Sequence, residues 1–175
     1  MVIGIISGAI LLFLAIGIYH ANRLRTIEII RSVDIRAGQD EVYGMISLLG
    51  NYPKWSPFLA QDPTMRYEVK GTDGTVGASY HWEGNKDKDL GQQEIVKLEP
   101  YRFVGIQVQI EKPFKAGPTF EYTIKNTGEK TEVIQRFELR SGLVDAFFMW
   151  LFGVKKEMEN TNQQGLELLK KASEG

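Results

Sequence analysis

Apolar positions are most concentrated at the N-terminus, where residues 2–19 form a run of 18 positions without a charged side chain. An α-helix of that length is about 27 Å long, close to the ~30 Å hydrocarbon core of a bilayer. No basic residue precedes the run, whereas a cleaved signal peptide begins with a basic region. The pattern predicts a transmembrane signal-anchor helix at residues 2–20 and a juxtamembrane linker at residues 21–25.

The residues that follow this run predict its orientation. Arg23 and Arg25 lie directly after the apolar segment, and short flanks rich in Lys and Arg stay on the cytoplasmic side of a membrane. We therefore expect a single-pass protein of a bacterial inner membrane, with the rest of the chain facing the cytoplasm.

The remaining chain has the pattern of one α+β domain, residues 26–172. β-Branched residues in 26–36 predict a first strand, and apolar residues spaced by three and four in 39–49 predict a short amphipathic helix. From Met65 to Arg140, short alternating segments are separated by turn residues, which is typical of an antiparallel meander. Six further strands are expected, in residues 65–69, 76–84, 90–100, 101–110, 119–125 and 131–140, with one of the turns at 85–89.

The C-terminal segment returns to a helical pattern. Apolar and small residues step by four and three from Phe147 to Ala172, which predicts one long helix over residues 143–172 with one buried side. Gly165 lies inside it, where glycine costs about 1 kcal/mol relative to alanine, so we expect it to allow a close approach or to leave space. The fold class that follows is a curved antiparallel sheet of about seven strands around this helix, plus one N-terminal transmembrane helix.

Composition excludes several kinds of chemistry. The chain has 21 basic and 22 acidic residues and a net charge of −1, so no positive excess favours nucleic acid as a partner. It has no cysteine and two histidines, His20 and His81, too few for a thiolate site or for clustered imidazole ligands. No serine-hydrolase motif is present, and neither a metal nor a cofactor is expected.

Alternation along three strands groups aromatic residues, together with one glutamine, on a single face of the sheet: Tyr80 and Trp82, Phe120 and Tyr122, and Gln135 and Phe137. His81 falls on the opposite face, and strand charges such as Glu94 and Arg136 are expected on the wet face. Thr161 and Gly165 are small residues on the buried side of the predicted helix. A gap lined by apolar groups is therefore expected between sheet and helix.

The segment NYPKWSPF, residues 51–58, carries three aromatic residues in a turn with two prolines. Aromatic side chains in such a turn are either a plug for the core or part of the wall of a cavity. A buried aromatic needs no ligand, so both interpretations stay open at this point.

The order of a strand, two short helices, six strands and a long helix resembles the START-like (SRPBCC) superfamily with the helix-grip fold, specifically its polyketide cyclase/dehydrase and lipid-transport branch. The resemblance covers residues 27–172. The segments that carry it are IRSVDIRAGQDEVYGMISLLGNYPKWSPF, YRFVGI after the proline of LEP, and GLELLKK near the end of the last helix. The resemblance implies a hydrophobic cavity that binds lipids, polyketides or other apolar molecules.

The residues expected to line such a cavity and bind its ligand are Tyr52, Trp55, Tyr80, Trp82, Phe120, Tyr122, Gln135, Phe137, Phe147, Leu151, Met158 and Gly165. The resemblance places Tyr52 and Trp55 at one end of the cavity. No catalytic set of the cyclases matches this sequence residue by residue, so no catalytic residue is expected.

Three functions are compatible with the sequence. The first is membrane-anchored binding or transport of a small hydrophobic ligand, such as a lipid, a quinone or a polyketide-like molecule, which a tethered domain meets at high effective concentration. The second is a cyclase or dehydratase that acts through residues such as Tyr80, Tyr122 or Glu94. The third is a protein-interaction module with a filled core. The apolar segment 143–152 either touches lipid beside the cavity or is covered by loops.

Overall fold

The computed structural model describes residues 2–84 and 89–175, so the predicted turn at 85–89 lies almost entirely outside the described residues. Helix α1 (Val2–Leu24) is followed by β1 (Thr26–Ile35), α2 (Gln39–Ser47), a 3₁₀ helix (Leu49–Lys54) and α3 (Pro57–Gln61). Six strands come next: β2 (Arg66–Lys70), β3 (Ser79–Glu83), β4 (Leu90–Glu99), β5 (Phe103–Lys112), β6 (Thr119–Asn126) and β7 (Thr131–Arg140). Helices α4 (Leu143–Leu151) and α5 (Val154–Ser173) come last.

The seven strands form one sheet in the order β1-β7-β6-β5-β4-β3-β2. Strands β2 to β7 follow the chain as an antiparallel meander, and β1 pairs with β7 from Thr26 opposite Arg140 to Ile35 opposite Thr131. The register between β4 and β5 shifts twice, and such irregularities bend and twist a sheet. The predicted fold class, a curved antiparallel sheet of seven strands with a long C-terminal helix, is confirmed.

Side-chain alternation places one face of the sheet against α5. On β7, every second residue from Thr131 to Leu139 is buried. Leu166 and Leu169 of α5 belong to the same buried cluster as the inward residues of β5, β6 and β7. Removal of apolar surface from water, worth about 25 cal/mol per Å², therefore holds helix and sheet together.

The C-terminal helical region consists of two helices, which corrects the prediction of a single helix over residues 143–172. Helix α4 ends at Leu151 and α5 begins at Val154. Gly153 between them has a φ of 65°, a left-handed conformation that glycine adopts without steric penalty and that commonly terminates a helix. Its N–H donates to the carbonyl of Trp150 at 3.2 Å. The apolar spacing continues across the break, so periodicity does not reveal it.

Helix α1 packs on α4 through aromatic side chains. The ring of Phe13 lies edge-on to that of Phe147, with centroids 6.4 Å apart. The imidazole of His20 stacks on the ring of Trp150, with centroids 5.6 Å apart. At Gly17 an added Cβ would collide with both α4 rings. The small residue therefore permits the close approach of the two helices.

Most of the α1 surface is apolar and exposed. Eight large apolar side chains between Ile10 and Tyr19 are 42–67% exposed, which differs from a core helix of a soluble domain. The segment Ser7–Leu24 is long and apolar enough to cross a membrane by length and composition. The helix continues through Leu24, so the segment predicted as a linker, residues 21–25, is mostly its last turn.

Residues 51–58 fold into parts of two short helices that hold their aromatic residues against the sheet. Helix α3 starts at Pro57, a position where the missing N–H of proline costs nothing. Ser56 caps it, because its hydroxyl accepts a hydrogen bond from the first turn of α3 at 3.3 Å. Trp55 is buried and donates its indole N–H to the Met45 carbonyl at 3.0 Å.

Candidate functional site

A cavity of about 270 Å³ lies between the inner face of the sheet, α3 and the N-terminal half of α5. Strands β3 to β7 and the β5–β6 connection supply most of its wall. Its volume is near the lower end of pockets that hold small molecules, about 300 Å³. The apolar character of the wall follows from the alternation that buries one face of every strand.

Ten of the twelve residues predicted to line a cavity lie in this wall: Tyr52, Trp55, Tyr80, Trp82, Phe120, Tyr122, Gln135, Phe137, Met158 and Gly165. They come from the 3₁₀ helix and its exit, three strands and α5. The structure therefore brings together residues that are up to 113 positions apart in the chain, from position 52 to position 165.

Phe147 and Leu151 lie outside the cavity, which corrects their prediction as lining residues. Phe147 packs against α1, and Leu151 is exposed. Both residues belong to α4, and the break at Gly153 separates α4 from the axis of α5. The helical spacing that groups them with Met158 is therefore interrupted.

Gln93 and Asn162 are buried polar residues of the cavity wall that were not predicted from the sequence. Gln93 is buried in alternation with Ile95 on β4, so the period of the strand contained a signal for it. Asn162 follows Met158 by four residues, the spacing that keeps two residues on one helix face. Its amide N–H donates to the Met158 carbonyl at 2.8 Å.

Tyr52 lies within a cluster of aromatic rings at one end of the cavity. Its ring is edge-on to those of Trp55 and Tyr80, with centroids 4.9 and 5.2 Å away. Trp55 lies in turn 6.0 Å from Tyr122. Edge-to-face pairs are favoured by about 0.5–1.5 kcal/mol each beyond their burial. Trp55 belongs both to the main core cluster and to the cavity wall, so both interpretations of residues 51–58 hold.

Burial raises the pKa values of the phenols in this cluster. It raises the pKa of Tyr52 to about 12, partly offset by a hydrogen bond with Ser56. The pKa values of Tyr80 and Tyr122 are also raised, by burial first and by the neighbouring phenol of Tyr52 second. A phenol with the ordinary pKa of about 10 is already neutral at physiological pH, so these hydroxyl groups are neutral hydrogen-bond donors and acceptors there and stay so at higher pH than usual.

Four polar atoms of the cavity residues are buried without a hydrogen-bond partner in the part of the chain that the structure describes: Tyr80 Oη, Gln93 Nε2, Gln135 Oε1 and Asn162 Oδ1. The other amide atom of Gln135 is used, since its Nε2 donates to the Tyr122 hydroxyl at 3.1 Å. Of these four atoms, the Gln93 nitrogen is a hydrogen-bond donor, the two amide oxygens are acceptors, and the Tyr80 hydroxyl can donate or accept.

The cavity reaches the surface between α3, the β5–β6 connection and the first turns of α5. Phe58, Phe114 and Glu157 line the cavity and are also exposed. They come one from each of these three elements. The opening therefore has two exposed aromatic rings and one carboxylate on its rim.

Charged strand residues lie on the outer face of the sheet. Arg136 contacts the carboxylates of Glu28, Glu121 and Glu138 at 2.8, 3.2 and 3.2 Å. Exposed pairs of this kind contribute little individually, but together they link β1, β6 and β7. Within residues 2–84 and 89–175, no three His, Asp or Glu side chains are grouped so that they could hold a metal ion.

The sequence of this chain matches a known family. Residues 26–174 match the family described as polyketide cyclase / dehydrase and lipid transport. The chain belongs to this family. The resemblance to the START-like superfamily is thereby confirmed. A sequence comparison with curated proteins gave no match.

Solved structures with the same fold are distant in sequence. The Zhui aromatase/cyclase from Streptomyces sp. R1128 is 13% identical with a TM-score of 0.64, over 85% of this chain and 94% of that one. The Aha1 dimer from Colwellia psychrerythraea is 17% identical with a TM-score of 0.59, over 85% and 96%. Ginseng major latex-like protein 151 from Panax ginseng is 16% identical with a TM-score of 0.50, over 77% and 96%. At these identities the similarity concerns the fold alone.

Proposed function

We propose that this protein binds a small hydrophobic ligand in the cavity beneath α5 and that α1 anchors it in a membrane. The observation that carries the proposal is a largely apolar cavity whose wall contains four buried polar atoms without partners among the described residues. The family description includes polyketide chemistry and lipid transport, both of which involve largely apolar molecules. A lipid, a quinone or a polyketide-like molecule suits such a wall.

The polar atoms favour an occupant that carries polar groups of its own. A buried polar atom without a partner costs about 1–3 kcal/mol, so four would cost on the order of 4–12 kcal/mol. That is comparable to the whole stability of a domain, about 5–15 kcal/mol. The atoms therefore need partners, from ordered water or from a ligand. Carbonyl or hydroxyl groups on an apolar skeleton would supply them.

A protein-interaction module with a filled core fits the cavity less well. That alternative predicts that Trp82, Phe120 and Phe137 meet the last helix without a gap. All three residues line the cavity instead. We therefore favour a small-molecule ligand over a macromolecular partner at this site.

The exposed surface of α1 supports anchoring. Its large apolar side chains are exposed to an extent that suits lipid better than water. On its inner side, Gly17 lies against Phe147 and Trp150 of α4, so the anchor is packed on the domain. Arg23 and Arg25 after the span favour a cytoplasmic domain. Such a tether concentrates the domain near ligands that partition into the bilayer.

Native mass spectrometry of the full chain, extracted from its own membrane in detergent, tests ligand binding. We expect the wild-type chain to retain a small apolar molecule. Thr161→Phe adds a ring to the cavity wall from α5 and should overlap with the occupant. The retained fraction should fall about tenfold or more, which corresponds to at least ~1.4 kcal/mol of lost affinity.

Gln164→Phe is the matched control, because position 164 lies on the same helix but is exposed. It should leave the retained fraction unchanged. A folded wild-type chain that carries no apolar molecule would contradict the proposal. Equal retention by both variants would place the molecule outside the cavity and would contradict it as well.

A cyclase or dehydratase is the second candidate, favoured by the family and by the neutral phenols of the wall. The raised pKa values of Tyr80 and Tyr122 keep these phenols protonated, so they can donate a hydrogen bond to a carbonyl oxygen but cannot act as bases. Glu94 lies between the buried Gln93 and Ile95 on β4 and so faces away from the cavity. Product analysis with a linear poly-β-ketone thioester tests this candidate. Cyclised product formed faster than in buffer, and lost in Tyr80→Phe, would support it.

A further inference from the structure

Helix α4 contacts α1 well inside the apolar run of α1. The ring of Phe13 lies 6.4 Å from that of Phe147 and 5.7 Å from that of Trp150. Gly17, one turn further along, lies against the same two rings. Phe13 precedes Arg23 by ten residues, which is about 15 Å along a helix axis. The contact between the helices therefore begins far from the charged end of α1.

The length of α1 decides where α4 can be. The uncharged run of residues 2–19 is about 27 Å long, against a hydrocarbon core of ~30 Å. If α4 lay outside the hydrocarbon, α1 would leave it at Phe13. Residues 2–12 alone, about 17 Å of helix, would then have to cross the core. That is little more than half of its thickness, so a spanning α1 requires α4 to enter the bilayer with it.

We propose that α4 lies inside the membrane leaflet on the side of the domain, packed against the C-terminal half of α1. This inference rests on the anchoring part of the proposed function and is independent of the ligand of the cavity. The outward side chains suit this location, since Val144 and Phe148 of α4 and Phe152, directly after it, are 50–73% exposed. In the leaflet these side chains face acyl chains instead of water.

Basic residues lie where the bilayer surface is then expected. Arg23, Lys155 and Lys156 line one open groove of about 470 Å³ at the junction of α1, α4 and α5. Glu159 lines it too, and this carboxylate pairs with Arg31 at 3.6 Å and with Lys155 at 3.8 Å. Long basic side chains at the end of an apolar helix reach lipid phosphates while their stems stay in apolar surroundings.

The one charged residue of α4, Asp145, lies near the N-terminal end of the helix. It belongs to the first turn of α4, where the helix dipole favours a carboxylate. Ser141, just before the helix, donates its N–H to the carbonyl of Arg25 at 2.9 Å. The start of α4 is therefore close to Arg25. Its other end lies near the same part of the chain, since Trp150 stacks on His20.

The position of α4 fixes the position of the cavity relative to the lipid. Only two residues separate the end of α4, at Leu151, from the start of α5, at Val154. Val154, Glu157 and Met158, from its first turns, line the cavity. With α4 in the leaflet, this end of the cavity lies at the level of the headgroups. A hydrophobic ligand would then pass between leaflet and cavity with little exposure to water.

Site-specific fluorescence tests the location of α4. The chain has no cysteine, so single-cysteine variants are labelled without background. Phe148→Cys on α4 and Glu167→Cys on the exposed side of α5 receive a polarity-sensitive fluorophore. The full chain is then placed in vesicles of phosphatidylcholine and phosphatidylglycerol. At position 148 we expect quenching by lipids with a nitroxide on the acyl chain, and severalfold weaker quenching by iodide than at position 167.

Cysteine variants at two further positions show whether an unexpected result contradicts the location of α4 or the anchoring by α1. Val144→Cys, one turn earlier on α4, should behave like Phe148→Cys and guards against a local artefact. Leu12→Cys reports on α1 itself. Lipid quenching at position 12 with iodide quenching at 148 would overturn the inference and leave the anchor intact. Iodide quenching at position 12 would show that α1 does not span the membrane. The proposed anchor and the proposed location of α4 would then both be wrong. Neither result bears on ligand retention by the cavity.

Discussion

Tyr122 connects the aromatic cluster around Tyr52 with the amide of Gln135. The pKa of its phenol is raised from 10.0, by burial first and by Tyr52 second. In an unfolded chain the same phenol ionises near its usual value. Above pH 10 the folded state therefore binds more protons than the unfolded state, and stability must fall as pH rises. The contribution of the buried phenols is complete below pH 10 and is lost as pH approaches their folded pKa values.

We expect Tyr122→Phe to make this alkaline loss of stability less steep. At neutral pH the variant should be less stable by about 1 kcal/mol, because the Gln135 amide loses its acceptor. Urea unfolding of the full chain in detergent micelles, at neutral pH and at several values above pH 10, measures both effects. An equal slope in both proteins would show that Tyr122 does not titrate differently on folding.

Gly165 and Gly17 should respond oppositely to the same substitution. At Gly165 an added Cβ meets the ring of Pro57 at 3.6 Å, an ordinary contact, whereas at Gly17 it would collide with Phe147 and Trp150. Gly165→Ala should therefore raise the free energy of unfolding by about 0.5–1 kcal/mol, the helix propensity difference. Gly17→Ala should lower it. Denaturant unfolding compares the two, and a destabilised Gly165→Ala would mean that α3 and α5 tolerate no added methyl group.

The break between α4 and α5 is the feature of the secondary structure that most affects the site. It separates Phe147 and Leu151 from the cavity and directs α4 towards α1. Gly153, with its φ of 65°, is the residue that makes the break. The segment on either side keeps helical spacing, so the conformation of one residue decides between one helix and two.

Substitution of Gly153 distinguishes one helix from two, because the change in the free energy of unfolding has the opposite sign in the two cases. Among the described residues, no atom beyond Gly153 and its two chain neighbours lies within 4 Å of an added Cβ, so only backbone strain counts. Gly153→Ala should cost about 1–2 kcal/mol of stability, and Gly153→Asn less, since asparagine tolerates the left-handed conformation. In a continuous helix Gly153→Ala would instead stabilise by about 1 kcal/mol. Thermal unfolding followed by circular dichroism gives the sign.

For the whole molecule, the proposed ligand is a source of stability. A ligand that binds only the folded state adds about 2.7 kcal/mol when present at one hundred times its Kd. Removal of co-purified apolar molecules by hydrophobic chromatography should therefore lower the unfolding midpoint of the full chain. Adding back the extract should restore it in the wild type but not in Thr161→Phe. An unchanged midpoint after complete removal would argue against an occupied cavity.

The sequence by itself determined the strands, most of the helices and the buried face of each strand. Alternation with period two identified the inward residues Tyr122, Gln135 and Phe137, because neighbouring side chains of a strand must point to opposite sides. The uncharged N-terminal run identified a helix of membrane length, because the length and composition of one continuous segment are enough to recognise it. These properties depend on residues within a few positions of one another, so one sequence is enough to predict them.

Only the tertiary structure decided how the elements meet. Whether Trp55 only fills the core or also lines a cavity depends on the gap between α5 and the sheet. This gap results from packing between residues up to 113 positions apart, from 52 to 165. The turn at Gly153 and the contact of α4 with α1 also became visible only in the tertiary structure. Periodicity tells which side of a helix is apolar. It does not tell which partner covers that side, because a sheet, a second helix and a lipid all satisfy the same apolar surface.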